Sequence, residues 1–102
     1  MFARIASFEG VDVDEAARTM DEVRGRVEPI MRNMEGFQGY MELVDRSAGK
    51  ALTIALFDSA ENMEAAESTF DEEMPRQLAD LFSQWAGRRA GVDRYEVLVD
   101  GR

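Results

Sequence analysis

Hydrophobic positions along the chain follow two different periods, and the switches between them mark out the elements. Phe2 to Phe8 is short, rich in Phe, Ile and Ala, and closed by Gly10, which predicts a strand. Asp12-Val-Asp-Glu15 has the spacing of a capping box, in which Asp12 accepts early helix N–H groups and Glu15 reaches back. Ala16, Met20, Val23, Val27, Ile30, Met31 and Met34 then recur every three or four residues, as one apolar face of a helix does. The phase survives Pro29, so a kink or a tightened last section is expected there rather than a stop. Gly36 supplies the exit. Residues 36–45 and 51–57 read as two strands joined by Arg46-Ser-Ala-Gly-Lys50, a hairpin signal. Asp58 or Ser59 is placed to cap a second helix whose apolar row runs Met63, Ala66, Phe70 and Met74. That row is interrupted at Pro75 and resumes with Leu78, Leu81, Phe82 and Trp85 up to Gly87. Val92 to Val99 forms the last strand. No repeat, linker or low-complexity tract divides the chain, so residues 1–102 are read as one domain.

The order β-α-β-β-α-β predicts an α+β, ferredoxin-like fold: a four-stranded antiparallel sheet with two helices on one face. If the other face met water, the strands would alternate apolar and polar residues. They do not. Leu52, Ile54 and Leu56 lie on one face of the third strand, and Ala51, Thr53, Ala55 and Phe57 on the other. The first strand sets Ala3 and Ile5 opposite Phe2, Ala6 and Phe8. Both faces need cover, and one chain has helices for one of them. A second copy of the sheet, packed through a two-fold axis, is the expected cover, giving a homodimeric α+β barrel.

Charge and missing residue types narrow the chemistry. The 102 residues carry 21 acidic and 12 basic side chains, a balance of −9 that repels phosphate backbones and anionic lipid, so neither nucleic acid nor membrane is expected as a partner. There is no Cys, which removes disulfides, thiolate nucleophiles and thiolate-bound metals. There is no His, which removes the commonest general base and the usual proximal haem ligand. Lys50 is the one lysine. No run approaches the roughly 20 apolar residues that span a bilayer. MFARIASFEG lacks the basic opening and cleavage site of a signal peptide, so a cytoplasmic setting is expected.

The run Gly36-Phe37-Gln38-Gly39-Tyr40, the hairpin, and Leu52-Thr-Ile-Ala-Leu-Phe-Asp-Ser-Ala-Glu-Asn-Met-Glu-Ala65 together resemble the antibiotic biosynthesis monooxygenase superfamily of dimeric α+β barrels. The resemblance covers most of the chain in element order and spacing. It implies one of several activities, since that superfamily holds cofactor-free oxygenases of aromatic polyketides and quinols, haem-degrading enzymes, and members without an assigned reaction. The haem-degrading branch uses an Asn, a Trp and an axial His. The first two positions fall at Ala6 and Ala66, the third near Met74-Pro75, and none carries the required residue. The quinone-forming branch uses no metal or cofactor: the protein supplies a dry pocket and donors that stabilise the substrate anion. It commonly keeps a polar pocket residue where Asn62 stands.

The candidate residues each carry two readings. Arg4, on the strand face of Phe2, Ala6 and Phe8, is either a buried donor for an enolate or carboxylate or an Arg paired with one of many acids. Asn62 either donates to a substrate oxygen or serves the helix N-terminus. Phe70, Phe82 and Trp85 follow helical spacing and form either the walls of an aromatic pocket or plain core. Tyr40 and Tyr95 present a phenol to a ligand or to an interface. Six methionines beyond the first suit a soft, adaptable core. Glu61, Glu64, Glu67, Asp71, Glu72 and Glu73 read as one solvated helix face. The leading expectation is a small cofactor-free oxygenase of a phenolic or quinol-type aromatic, with Arg4 and Asn62 as anion-stabilising donors and Tyr40, Phe70, Phe82 and Trp85 against the substrate. The alternative is a non-catalytic ligand-binding or regulatory homodimer on the same fold, with isomerase or cyclase chemistry behind both.

Overall fold

A computed structural model describes residues 1–85 and 87–102. Strands β1 (Phe2–Glu9), β2 (Phe37–Asp45), β3 (Lys50–Phe57) and β4 (Arg88–Glu96) form one sheet in the order β2-β3-β1-β4, every neighbouring pair antiparallel. Helices α1 (Val13–Arg18) and α2 (Met20–Arg32) connect β1 to β2. Between β3 and β4 run α3 (Ala60–Ala65), a π-helical turn (Thr69–Glu73), α4 (Met74–Gln77), α5 (Ala79–Phe82) and a 3-10 turn (Ser83–Trp85). Both helical segments bury against the same face: Val23, Met31, Met63, Ala66, Met74, Leu78 and Leu81 share one core with Ala55 and Phe57. The α+β, ferredoxin-like reading holds in order, pairing and face.

Three boundaries move, each for a physical reason. The first helix breaks at Thr19 rather than bending at Pro29. Thr19 has φ −97° and ψ 5°, and its hydroxyl lies 3.0 Å from the Glu15 carbonyl and 3.3 Å from that of Ala16. Such back-bonding competes with the helical ladder. Pro29 rides inside α2, which continues to Arg32 because Val27, Ile30 and Met31 hold that stretch to the core. The second helix is a series of short pieces around Pro75. A proline ring has no N–H to donate and crowds the carbonyl four residues back, and the turn before it widens so that the Met74 N–H reaches Thr69 O, five residues back. Ala86, inside the expected span of that helix, lies outside the described residues.

The last strand starts at Arg88, four residues before the expected Val92. Arg88 and Arg89 pair across from Glu9 and Phe8 on an edge strand, where charged residues are at home. It ends at Glu96, and Leu98 and Val99 lie beyond it, exposed. On the face away from the helices, register places Met41 beside Ile54, Leu43 beside Leu52, and Ile54 beside Ile5. Met41, Leu43, Leu52 and Tyr95 are exposed there.

Candidate functional site

The helix-covered face of the sheet carries two polar clusters. One lies over the inner strand β1. Arg4 is 3% exposed, and its Nε donates to Glu67 Oε2 at 3.1 Å while Nη2 donates to Asp71 Oδ1 at 3.2 Å. Its guanidinium carbon sits 4.3 Å from the centre of the Phe70 ring, a cation–π contact. Arg94 donates to Glu67 Oε1 at 2.8 Å and Arg89 to Asp71 Oδ1, so each carboxylate joins two arginines. The Arg89 hydrogen bond, more than the attraction of its charge, holds the Asp71 carboxyl below its ordinary value, against the opposing effect of burial. Glu67 and Asp71 are therefore partners of a buried cation rather than members of a purely solvated face.

The other cluster lies between α2 and the edge strand β2. Four-residue spacing puts Met20, Arg24, Glu28 and Arg32 on one stripe of α2. The two-residue period of β2 turns Tyr40 and Glu42 towards it, opposite Ala55 and Thr53. The space between is a groove of about 300 Å³ lined by Met20, Arg24, Glu28, Tyr40, Met41 and Glu42. It adjoins a cleft of about 510 Å³ lined by Glu28, Arg32, Phe37, Gln38, Gly39 and Tyr40. Glu28 and Tyr40 border both.

Glu28 is the hub. Tyr40 Oη donates to its Oε1 at 2.7 Å, Arg24 Nε donates to the same oxygen at 3.1 Å, and Arg32 Nη2 lies 3.7 Å from Oε2. The Tyr40 and Arg24 hydrogen bonds hold the Glu28 carboxyl below its ordinary value. Burial first, and the Glu28 carboxylate second, push the Tyr40 phenol up, so it stays a donor. Glu42 differs. Its Oε2 accepts from Thr53 Oγ1 at 2.9 Å, and burial of the carboxyl, only partly opposed by that hydroxyl, pushes it up to about 7. The residue as a whole nonetheless stays exposed along the groove. The carboxyl is thus crowded by protein on one side and open to the groove on the other.

The other sequence-derived candidates do not gather at this groove. Asn62 caps nothing through its side chain: its Nδ2 donates to Asp58 Oδ1 at 2.8 Å, and both side chains press on Gly36. Gly36 has φ +75°, and a Cβ there would overlap the Asp58 carboxylate and the Asn62 amide, so the turn demands glycine twice over. Ser59, not Asp58, caps α3 through the Asn62 N–H. Phe70 packs edge-on against Phe57, with centroids 6.4 Å apart, and over Arg4. Phe82 and Trp85 lie 5.1 Å apart, and the Trp85 indole donates to Thr19 Oγ1 at 3.1 Å. Tyr40 alone among the named candidates lines the groove. Arg24, Glu28 and Glu42 were not singled out from the sequence, although the Met20–Arg24–Glu28–Arg32 stripe and the shared face of Tyr40 and Glu42 were there to be read.

Haem does not fit the positions through which the resemblance would bring it. Ala6 and Ala66 are buried small residues, Met74 is buried in the core, and the chain has no His. Among the described residues, no three acidic, His or Cys side chains converge as metal ligands, and no helix is long and apolar enough to cross a membrane.

No protein-family model matches the chain, and no curated protein does. Solved structures do. A protein from Deinococcus radiodurans described as an antibiotic biosynthesis monooxygenase superposes with a TM-score of 0.64 at 16% identity, over 100% of this chain and 97% of that one. The cofactor-independent oxygenase SnoaB of Streptomyces nogalater gives 0.65 at 13%, over 98% and 95%. The heme-degrader MhuD of Mycobacterium tuberculosis, solved with two hemes bound, gives 0.67 at 17%, over 98% of each. At such identities the likeness is one of fold alone, the α+β, ferredoxin-like fold that these structures share.

Proposed function

We propose that the chain is a homodimeric, cofactor-free oxygenase of a phenolic or quinol-type aromatic, and that its substrate lies in the groove between α2 and β2. One observation carries this reading: a cation (Arg24), a phenol (Tyr40) and a carboxyl with open access (Glu42) line one groove. Oxidation of an activated arene by O₂ needs an electron-rich anion and a donor that holds it. For an anthrone the balance is arene CH₂ plus O₂ giving C=O plus water, with no outside reductant. Arg24, whose Nη groups make no hydrogen bond among the described residues, takes the place expected of Arg4 and Asn62, which are held by Glu67, Asp71 and Asp58, while Tyr40 fixes Glu28 beside it. The cleft beside Phe37 gives a polycyclic ring somewhere to extend. The apolar outer face around Leu52 and Ile54 supports the homodimer, and a second copy there would leave the helix side open.

O₂ uptake with an anthrone or a dihydroxynaphthalene tests this directly. Uptake above background without added flavin, metal or nicotinamide is expected, and Arg24→Ala should lower it about a hundredfold, as loss of one preorganised donor does. Background uptake across the panel would overturn the oxygenase. If the same compounds still raised the melting temperature, the function would be ligand binding by a non-catalytic homodimer.

A further inference from the structure

We propose that Glu42 takes the phenolic proton of the bound arene, so that the groove captures an acidic hydroxyarene as its anion. This deepens the oxygenase reading and rests on it for the place of the substrate. Glu42 lies two residues from Tyr40 on the same face of β2, directly across from Thr53 on β3. The Thr53 hydroxyl occupies Oε2 and so orients the carboxyl. Among the described residues Oε1 accepts no hydrogen bond and the carboxyl joins no ion pair, which leaves one oxygen for a ligand.

The groups that face it sort the roles. From α2 come Arg24 and Glu28, from β2 Tyr40, and from β3 Thr53. Glu28 is held as an anion by Arg24 and Tyr40, which makes it a poor proton acceptor. Arg24 keeps its Nη groups as donors, and Tyr40 gives its one O–H to Glu28. Glu42 alone combines a free oxygen with a raised affinity for a proton, and a group near 7 is matched to proton transfer at neutral pH. In the step, the arene O–H bond breaks, its proton goes to Glu42 Oε1, and the electron pair stays on the arene oxygen beside the Arg24 guanidinium. The carboxylate becomes a neutral acid, so the net charge of the pair is unchanged.

A chromogenic nitrophenol, whose neutral and anionic forms absorb at different wavelengths, reads this step without turnover. The nitrophenol is chosen to ionise well above 7, and at a pH between the Glu42 range near 7 and its own the wild-type protein should bind it as the anion, while Glu42→Gln should bind it neutral. A cooperative thermal transition is the control that the variant is folded. In the O₂ assay the rate should rise with pH through a single limb near 7, and Glu42→Gln should lose that limb and about a hundredfold in rate. Anionic binding by the wild type with no uptake would leave Glu42 in place and remove the oxygenase. Uptake by a Glu42→Gln protein with unchanged rate and pH limb would keep the oxygenase and overturn Glu42. A wild-type protein that binds the probe only as the neutral phenol, or not at all, also overturns it.

Discussion

Arg4 and Glu42 stand on the same face of one sheet and beneath the same helical layer, yet their surroundings are opposites. Arg4 is on an inner strand, and the chain spends two carboxylates, two further arginines and an aromatic ring on enclosing it. Glu42 is on the edge strand, with one hydroxyl as partner and a groove on its other side. A buried charge on an inner strand has to be matched, because its unmatched alternative is costly. An edge residue can leave part of its bonding capacity to a ligand. A polar side chain amid apolar neighbours therefore marks a site only where that capacity is left over.

Stability should separate the clusters most sharply. Arg4→Met leaves two carboxylates without their buried cation, although Arg94 and Arg89 remain beside them. The expected loss is about 2–3 kcal/mol, at or below the low end for breaking a buried pair because Asp71 is substantially exposed. For a domain of this size that lowers the melting temperature by roughly 10–20 °C. A variant that melts like wild type would show that the Arg4 cluster is not structural. Tyr40→Phe should behave in the reverse way: near-native melting, with severalfold weaker nitrophenol binding as Glu28 and Arg24 lose the hydroxyl that fixes them. Equal affinity would remove Tyr40 from the site.

The smallest effect is the most diagnostic, because the two clusters have opposite pH signs. Asp71 is held below its ordinary value, so its contribution is present above the usual carboxylate range and is lost as pH falls through the depressed one. Glu42 is raised from 4.5 to about 7, so the fold tolerates it best when protonated, and that advantage is lost as pH rises through 7. Glu42→Gln should then melt with wild type near pH 4.5 and above it beyond pH 7. Identical melting curves at both pH values would mean that the carboxyl is not crowded in solution.

How far the sequence could be read follows the same division. Period and capping residues placed the sheet, its order of elements and the side of each strand, because Leu52-Thr-Ile-Ala-Leu-Phe57 encodes its two faces directly. The breaks at Thr19 and before Pro75 depend on where a freed carbonyl finds a donor, which periodicity does not record. Arg88 and Arg89 disguised the start of β4, since their charge suits a loop as well as an edge. Arg4 was visible as an anomaly, but its partners lie 63 and 67 residues away. Glu42 and Arg24 looked like ordinary surface residues, and only the approach of α2 to β2 gives them a shared purpose.

The helix break at Thr19 has an optical consequence. The indole that donates to the Thr19 hydroxyl belongs to the chain's single tryptophan, and the Asp12 N–H bonds the carbonyl of that same residue at 2.7 Å. Trp85 thus reports from the joint at which α2 begins, one residue before Met20 and within three helical turns of Arg24 and Glu28. Any ligand that draws α2 towards β2 will strain this joint, and the emission of one native fluorophore will register it without a label.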